Sequence, residues 1–224
     1  ALFGLLSAII PITANLKGAG DLASELSSLL RSALFVALLL SIMAVIALKL
    51  LELLLPVIST SPDISSLVEQ YLRILIWSIP LELLAFTVIS ISNGAGRTFW
   101  PAAINMVAFL TMLLAIWLFV YGNGGFVAME SAGIAYSFLS AILAKCLLSV
   151  LLLFQSDFQS VTFASLTRSG DMPYFRRIFR VGLPIGFNEG SLYLYVALLV
   201  VFVASMGAEQ LAAHNVAHNV LFLS

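Results

Sequence analysis

The stretch TFWPAAINMVAFLTMLLAIWLFVYGNGGFVAM, residues 98–129, runs for 32 residues without a charged side chain. A helix needs about 20 apolar residues to cross the roughly 30 Å hydrocarbon core of a bilayer. The stretch is therefore long enough for one membrane span and the loop that leaves it. A soluble core helix does not need such a length.

The rest of the chain has the same character. Of its 224 residues, 62% are hydrophobic and 9% are charged, whereas about a quarter of the residues of a soluble domain are charged. We predict five complete spans, at 32–55, 62–92, 102–121, 132–154 and 178–206, with partial helices at 1–16 and from 211. The predicted fold class is all-α and polytopic, that of a multi-pass membrane protein.

Charge and cysteine content exclude several classes of partner and linkage. The net charge of −1 and the scarcity of clustered basic residues argue against nucleic-acid binding. Cys146 is the single cysteine, so no intrachain disulfide is possible. The sequence starts and stops within hydrophobic helices and shows neither an initiator Met nor the n-region of a signal peptide, and we expect it to be an internal fragment of a longer protein.

Basic residues mark alternate connections between the spans. These connections carry Lys17 and Arg31, then Arg97, then Arg168, Arg176, Arg177 and Arg180, and the connections between them contain no Lys or Arg. Because cytoplasmic loops carry an excess of Lys and Arg, the basic connections are predicted to be cytoplasmic. Lys49 lies near the outer surface, with Glu52 as a predicted i, i+3 partner.

Four sequence blocks carry a family resemblance. NGAGRTFWPAAIN, residues 93–105, resembles the G-x-G-x-T-x-x-P loop after the fourth helix of multidrug and toxic compound extrusion (MATE) transporters. FRVGLPIGF and MGAEQLAAHNVAHN, residues 179–187 and 206–219, resemble the seventh helix and the start of the eighth. GLLSAIIPITANLKGAGD, residues 4–21, resembles the second helix and its exit turn. The order of the blocks and the spacing of the last two fit the NorM-like branch.

The resemblance implies a twelve-helix protein of two six-helix lobes that face a central cavity. Residues 1–154 would hold helices 2 to 6 of the first lobe, and residues 176–224 the seventh helix and part of the eighth. Residues 155–175, the only long polar stretch, would be the cytoplasmic interlobe linker.

The function that the resemblance implies is secondary active export, by alternating access, of amphipathic or cationic organic compounds coupled to Na⁺ or H⁺. The protein would act as a monomer in the bacterial inner membrane, with lipid and small substrates as partners, no cofactor beyond the coupling ion and no enzymatic activity. The alternatives are a lipid-linked oligosaccharide flippase of related fold and an intramembrane metalloenzyme.

Ionisable residues inside spans mark ion or substrate pathways by default. Glu189 lies nine residues beyond Arg180, which at about 1.5 Å per residue puts it about 13 Å inside the cytoplasmic boundary. It is the predicted cation-coupling residue, with Glu82 as a second. The family's seventh-helix glutamate falls on Leu192, one turn later. Residues that bend helices, Gly182, Pro184 and Gly186, precede Glu189 as a predicted hinge.

Glu82 and Lys145 are predicted at similar depths, about 16 to 20 Å from the outer boundary at about 1.5 Å per residue. They can therefore form an ion pair within the first lobe. In the alternative, Glu82 faces the cavity alone and helps to bind a cationic substrate.

Polar and aromatic residues complete the predicted site. Tyr193, Tyr136 and Asn188 are the predicted substrate contacts, since aromatic rings stack on flat cations. His214 is predicted to hydrogen-bond or to take part in proton coupling. His214 and His218 have the i, i+4 spacing of metal ligands, but two ligands from one helix do not make a site, and no metal site is predicted.

Overall fold

The computed structural model describes residues 2–58, 62–153 and 173–222, which form helices joined by short turns. The helices are α1 Leu2–Ser7, α2 Ile9–Ala19, α3 Leu22–Ile58, α4 Pro62–Gly94, α5 Phe99–Phe119, α6 Glu130–Leu153, α7 Phe175–Ala204 and α8 Ala208–Phe222. None of the described residues lies in a strand. The predicted all-α class is confirmed.

Six helical segments in these ranges are long and apolar enough to cross a membrane. They are Leu2–Ala19, which combines α1 and α2, then Leu22–Leu54, Val68–Gly94, Phe99–Phe119, Ala132–Leu153 and Phe175–Ala204. The five predicted spans are all present. The segment at the start of the chain, predicted as a partial helix, also reaches 18 residues.

The third helix differs from its prediction at both ends. The sequence suggested an amphipathic segment up to Arg31 and a separate span that stops before Pro56. Instead, α3 is one helix of 37 residues from Leu22 to Ile58. No glycine or proline interrupts residues 22–55, and a proline removes one helical hydrogen bond, which kinks a helix without always ending it.

The helices pack around α4, which contacts α2, α3 and α6, while α5 packs on α6. One buried apolar cluster joins α1 to α4 and includes Ile9, Leu29, Leu83 and, from α7, Ile178. The seventh helix reaches this bundle through α1 and α3, and α8 packs on α7. The candidate coupling residue is therefore carried by a helix that docks onto the first helices of the chain.

Two of the family-like blocks meet at the end of α2. A Cβ atom added to Gly94 would lie 2.5 Å from the carbonyl oxygen of Ile10 and 2.6 Å from Cβ of Thr13. Gly96 has a φ of 74°, a left-handed conformation that favours glycine. Lys17 donates a hydrogen bond of 2.6 Å to the carbonyl oxygen of Ala95. The glycines of the loop thus serve close packing and a turn.

The predicted linker, residues 155–175, lies outside the described residues except for its last three. Of these, Phe175 already belongs to α7, so that the helix begins one residue inside the predicted linker.

Candidate functional site

A row of small residues lets α7 lie directly on α1. Ile178, Gly182 and Gly186 are the buried residues of α7. A Cβ atom on Gly182 would overlap the carbonyl oxygen of Leu5. Glycines four residues apart on one face allow two helix backbones to approach closely in a membrane. The crossing of α1 and α7 is therefore a backbone-to-backbone contact.

Glu189 lies at the edge of this crossing. Its side chain is half-buried, and a Cβ atom built on Gly4 would lie 2.7 Å from its Oε2 atom. In the part of the chain that the structure describes, no hydrogen bond or ion pair engages the carboxylate. The predicted coupling residue thus lies between two helices and depends on no described partner.

The predicted hinge is part of the same contact. Pro184 lies inside the continuous helix α7, while Gly182 and Gly186 are buried against α1. From the sequence these glycines are predicted to bend the helix, and in the structure they pack closely against α1. Their four-residue spacing is the sequence signal from which close packing could have been predicted. A hinge at Pro184 stays a prediction.

The structure brings Glu82 and Lys145 together. The Nζ atom of Lys145 on α6 lies 2.5 Å from Oε1 of Glu82 on α4, and the side chains are 17% and 19% exposed. Cys146, next to Lys145, is buried near the same carboxylate. Here Glu82 is paired, so the alternative of a carboxylate alone in a cavity does not describe this conformation. A role of Glu82 in cation coupling stays a prediction.

The predicted substrate contacts lie on two helices that pack on different partners. Asn188 and Tyr193 are exposed on α7, which packs on α1 and α3. Tyr136 is on α6, which packs on α4 and α5, and its ring centre is 6.4 Å from that of Phe119. Asn188 and Tyr193 therefore share a helix with Glu189, while Tyr136 belongs to an aromatic contact of α5 and α6.

His214 is half-buried on α8, and the side chain of His218 lies outside the described residues. Within residues 2–58, 62–153 and 173–222, no three His, Cys, Asp or Glu side chains come together as metal ligands. The described part of the chain thus offers no group on which a metal centre could be argued.

Charged contacts between the end of α3 and the start of α4 include two, both made by Arg73, that were not predicted from the sequence. The predicted pair of Lys49 and Glu52 is confirmed, at 2.7 Å. Arg73 of α4 also approaches Glu52 to 4.0 Å and binds Glu69 at 2.6 Å. The pair of Glu69 and Arg73 could be predicted from its i, i+4 spacing. The contact between α3 and α4 could not be predicted from the sequence.

A further contact that was not predicted joins the start of α7 to the start of α3. The hydroxyl of Tyr174, which is 8% exposed, donates a hydrogen bond of 3.2 Å to Oε2 of Glu25. Burial and then the negative charge of Glu25 raise the pKa of the Tyr174 hydroxyl above its usual value, and Arg177 opposes this. The rings of Phe35 on α3 and Phe175 on α7 are also in contact, with their centres 6.0 Å apart. Contacts between residues so distant in sequence leave no local pattern.

Comparisons with known proteins agree with this architecture. The sequence profile of the MatE family matches residues 1–118, more than half of the chain. The multidrug resistance protein NorM of Aliivibrio fischeri is 27% identical over 222 residues, which cover 96% of this chain and 47% of that protein. The NorM protein of Vibrio cholerae is 28% identical with the same coverage. The chain spans about half the length of these curated relatives.

The fold also matches solved structures. An outward-facing structure of a multidrug resistance MATE family transporter superimposes with a TM-score of 0.82 at 19% identity, covering 99% of this chain and 49% of that one. The relatives are bacterial, which agrees with the predicted location as a multi-pass protein of the bacterial inner membrane. The chain belongs to the MatE family.

Proposed function

We propose that the protein containing this chain is a secondary active exporter of amphipathic and cationic organic compounds, driven by inward flow of Na⁺ or H⁺. Membership of the MatE family and the names of its relatives, multidrug resistance proteins, support this class over an enzyme. The six apolar helices support action within a bilayer. In this proposal the protein works as a monomer and needs no cofactor beyond the coupling ion.

The observation that carries the proposal is the position of Glu189 at the crossing of α1 and α7. An ionised carboxylate inside a membrane is costly unless it is paired or hydrated. Glu189 has no described partner, so a proton or Na⁺ is the natural group to neutralise it. When the Glu189 carboxyl group is neutral, close packing of α1 on α7 is favoured. When it is ionised, an arrangement that lets water reach it is favoured.

The two lobes can adopt two relative arrangements, and the charge of Glu189 acts on the balance between them. We assign residues 1–154 to the first lobe, residues 155–175 to the linker and residues 176–224 to the second lobe. Movement of one lobe against the other opens the cavity to alternate sides. Because Glu189 lies where the two meet, a cation that binds it changes the relative free energies of the two arrangements. Asn188 and Tyr193 on the same helix are the proposed contacts of the substrate.

A transport assay tests the proposal. Full-length protein in vesicles of bacterial lipid is loaded with a fluorescent organic cation, and Na⁺ and proton gradients are imposed separately. We expect one gradient to drive the cation against its own concentration gradient, and the other to do so weakly or not at all. Equal accumulation with and without both gradients would contradict the proposal.

The flippase alternative has less support. A lipid-linked oligosaccharide carries phosphate groups, and a cavity for it requires free positive charge. The Lys145 ammonium is paired with Glu82, so it is not available to hold a phosphate.

A further inference from the structure

Gly4 lies directly opposite the carboxylate of Glu189, where α1 crosses α7. A Cβ atom added to Gly4 would lie 2.7 Å from Oε2 and 2.9 Å from Cδ of Glu189, and 2.8 Å from Cα of Gly186. Side-chain Cβ atoms essentially never approach another heavy atom within 3.0 Å. A side chain at position 4 would therefore require the opposing backbone at Gly186 to shift and the end of the Glu189 side chain to turn away from α1.

Other glycines show that this contact differs from ordinary helix packing. The three atoms nearest to a Cβ atom on Gly182 would be backbone atoms of Leu5, and a Cβ atom on Gly18 would meet nothing within 4 Å. At Gly4 the space of a side chain is occupied by both a carboxylate and the opposing backbone. Gly4 is thus tied to the ionisable group as well as to the crossing.

No charged neighbour explains the position of the carboxylate. The helices packed against α7 are α1, α3 and α8, and α1 contains no titratable residue. The described charged or titratable residues of α3 and α8 are Glu25, Arg31, Lys49, Glu52, Glu209 and His214. None of them forms an ion pair or hydrogen bond with Glu189 in the described ranges. In the described ranges the carboxylate therefore lies against α1 at Gly4 without a charged partner.

We propose that Gly4 is a positioning residue for Glu189. This inference rests on the proposed role of Glu189 as the coupling carboxylate. With hydrogen at position 4, the neutral carboxyl group can lie against α1 while the helices remain in contact. The ionised group requires water and loosens the contact. Gly4 thereby links uptake of the cation to the fit between the two helices.

Substitution by alanine tests the inference in the full-length protein. Gly4→Ala places a methyl group in the space of the carboxylate, and we expect gradient-driven export to fall at least tenfold. Gly18→Ala is the matched control and should export at the wild-type rate. Because aspartate is one methylene shorter than glutamate, Glu189→Asp in the Gly4→Ala background relieves the contact with the carboxylate but not the one with Cα of Gly186. The double variant should therefore regain part of the Glu189→Asp rate, at least a third.

Gly182→Ala separates positioning from packing. The atoms nearest to its methyl group would be backbone atoms of Leu5, so Glu189→Asp should give it no rescue. Equal rescue of Gly4→Ala and Gly182→Ala, or rescue of neither, would show that Gly4 acts through helix packing alone and would overturn the inference. Export by Gly4→Ala at the wild-type rate would overturn it as well.

A thermal measurement keeps the test independent of transport. In detergent, Gly4→Ala should lower the Tm. Adding Glu189→Asp to Gly4→Ala should restore at least half of that loss. Adding Glu189→Asp to Gly182→Ala should restore none of the loss that Gly182→Ala causes. If Gly4→Ala does not accumulate, recovery of protein yield in its double variant alone is the equivalent result. If no gradient drives export by the wild-type protein, the proposed function fails, and the Tm comparison still decides the role of Gly4.

Discussion

The Nζ atom of Lys145 lies 2.5 Å from Oε1 of Glu82, and this ion pair joins α6 to α4 with less than a fifth of either side chain exposed. Two opposite charges in such a place compensate each other, whereas one charge left alone has to be solvated or neutralised. The pair therefore links two helices of the bundle, and each of its charges compensates the other.

Removal of one partner should destabilise the protein more than removal of both. We expect Glu82→Gln or Lys145→Gln to cost about 3 to 5 kcal/mol, because each leaves a buried charge, and the double variant to cost much less. Thermal unfolding in detergent measures this. Lys49→Gln is the control: Lys49 is 54% exposed in its pair with Glu52, and the loss should be about 0 to 1 kcal/mol. Strictly additive effects at Glu82 and Lys145 would contradict the coupling.

Glu189→Gln should abolish gradient-driven export while substrate affinity stays within about tenfold, or 1.4 kcal/mol. The amide mimics the neutral carboxyl group but cannot release a cation, so the crossing of α1 and α7 no longer responds to the gradient. Glu189→Asp should retain part of the transport. Glu209→Gln, the same change at an exposed site of α8, should have no effect. Transport by Glu189→Gln with unchanged dependence on pH and Na⁺ would move the coupling site elsewhere.

Gly94→Ala should loosen the contact between α2 and the loop after α4. The new methyl group would lie 2.5 Å from the carbonyl oxygen of Ile10, and backbone cannot yield as a flexible side chain does. We expect a loss of about 1 to 3 kcal/mol, typical of an overpacked core. At Gly18, where the space is open, the same change should be neutral or stabilise by about 0.5 to 1 kcal/mol. Equal Tm values for the two variants would refute this role of Gly94.

Tyr174→Phe should lower stability at neutral pH by about 1.5 kcal/mol, the lower end for hydrogen bonds to charged groups because 3.2 Å is long. The pKa of Tyr174 is raised in the folded protein, so its stabilising effect is complete below about pH 10, the usual value for tyrosine. The effect is lost as the pH rises further, through the folded pKa. The Tm difference between wild type and variant should therefore shrink above pH 10. Tyr121→Phe, at a site 70% exposed, should not change the Tm. If the Tm difference between wild type and Tyr174→Phe grew above pH 10, the predicted direction of the pH dependence would be wrong.

Cysteine labelling should verify the orientation. In a Cys146→Ala background, Asn123→Cys lies in the connection after α5, which carries no Lys or Arg. It should react with an impermeant thiol reagent added outside intact cells. Gly18→Cys, beside Lys17 in the last turn of α2, should react only after the cells are opened. The opposite labelling pattern would invert the assignment of every loop.

Hydropathy predicted where helices exist because the cost of placing charge in a bilayer is a local property of the sequence. It did not predict that α3 continues unbroken from Leu22. The amphipathic segment and the span after it differ in composition, but one continuous helix can contain both. The pairing of Glu82 with Lys145 was predictable because depth along a span follows from residue count and matching depths restrict the possible partners.

Lateral contacts were less predictable. Depth alone does not say which helices are neighbours, and so the contacts of Gly4 with Glu189 and of Glu25 with Tyr174 appear only in the folded chain. The four-residue spacing of Gly182 and Gly186 indicates that another helix packs closely against this face, but it does not identify that helix.

The hydrogen bond from Tyr174 to Glu25 spans 149 residues of sequence, and this separation orders events during synthesis. At about 5 to 20 residues per second, a ribosome takes roughly 7 to 30 s to make the intervening chain. For that time the face of the early helices that packs on α7 lacks this partner. The contact between α7 and the start of the chain is therefore made late, after the helices on its other side have been synthesised.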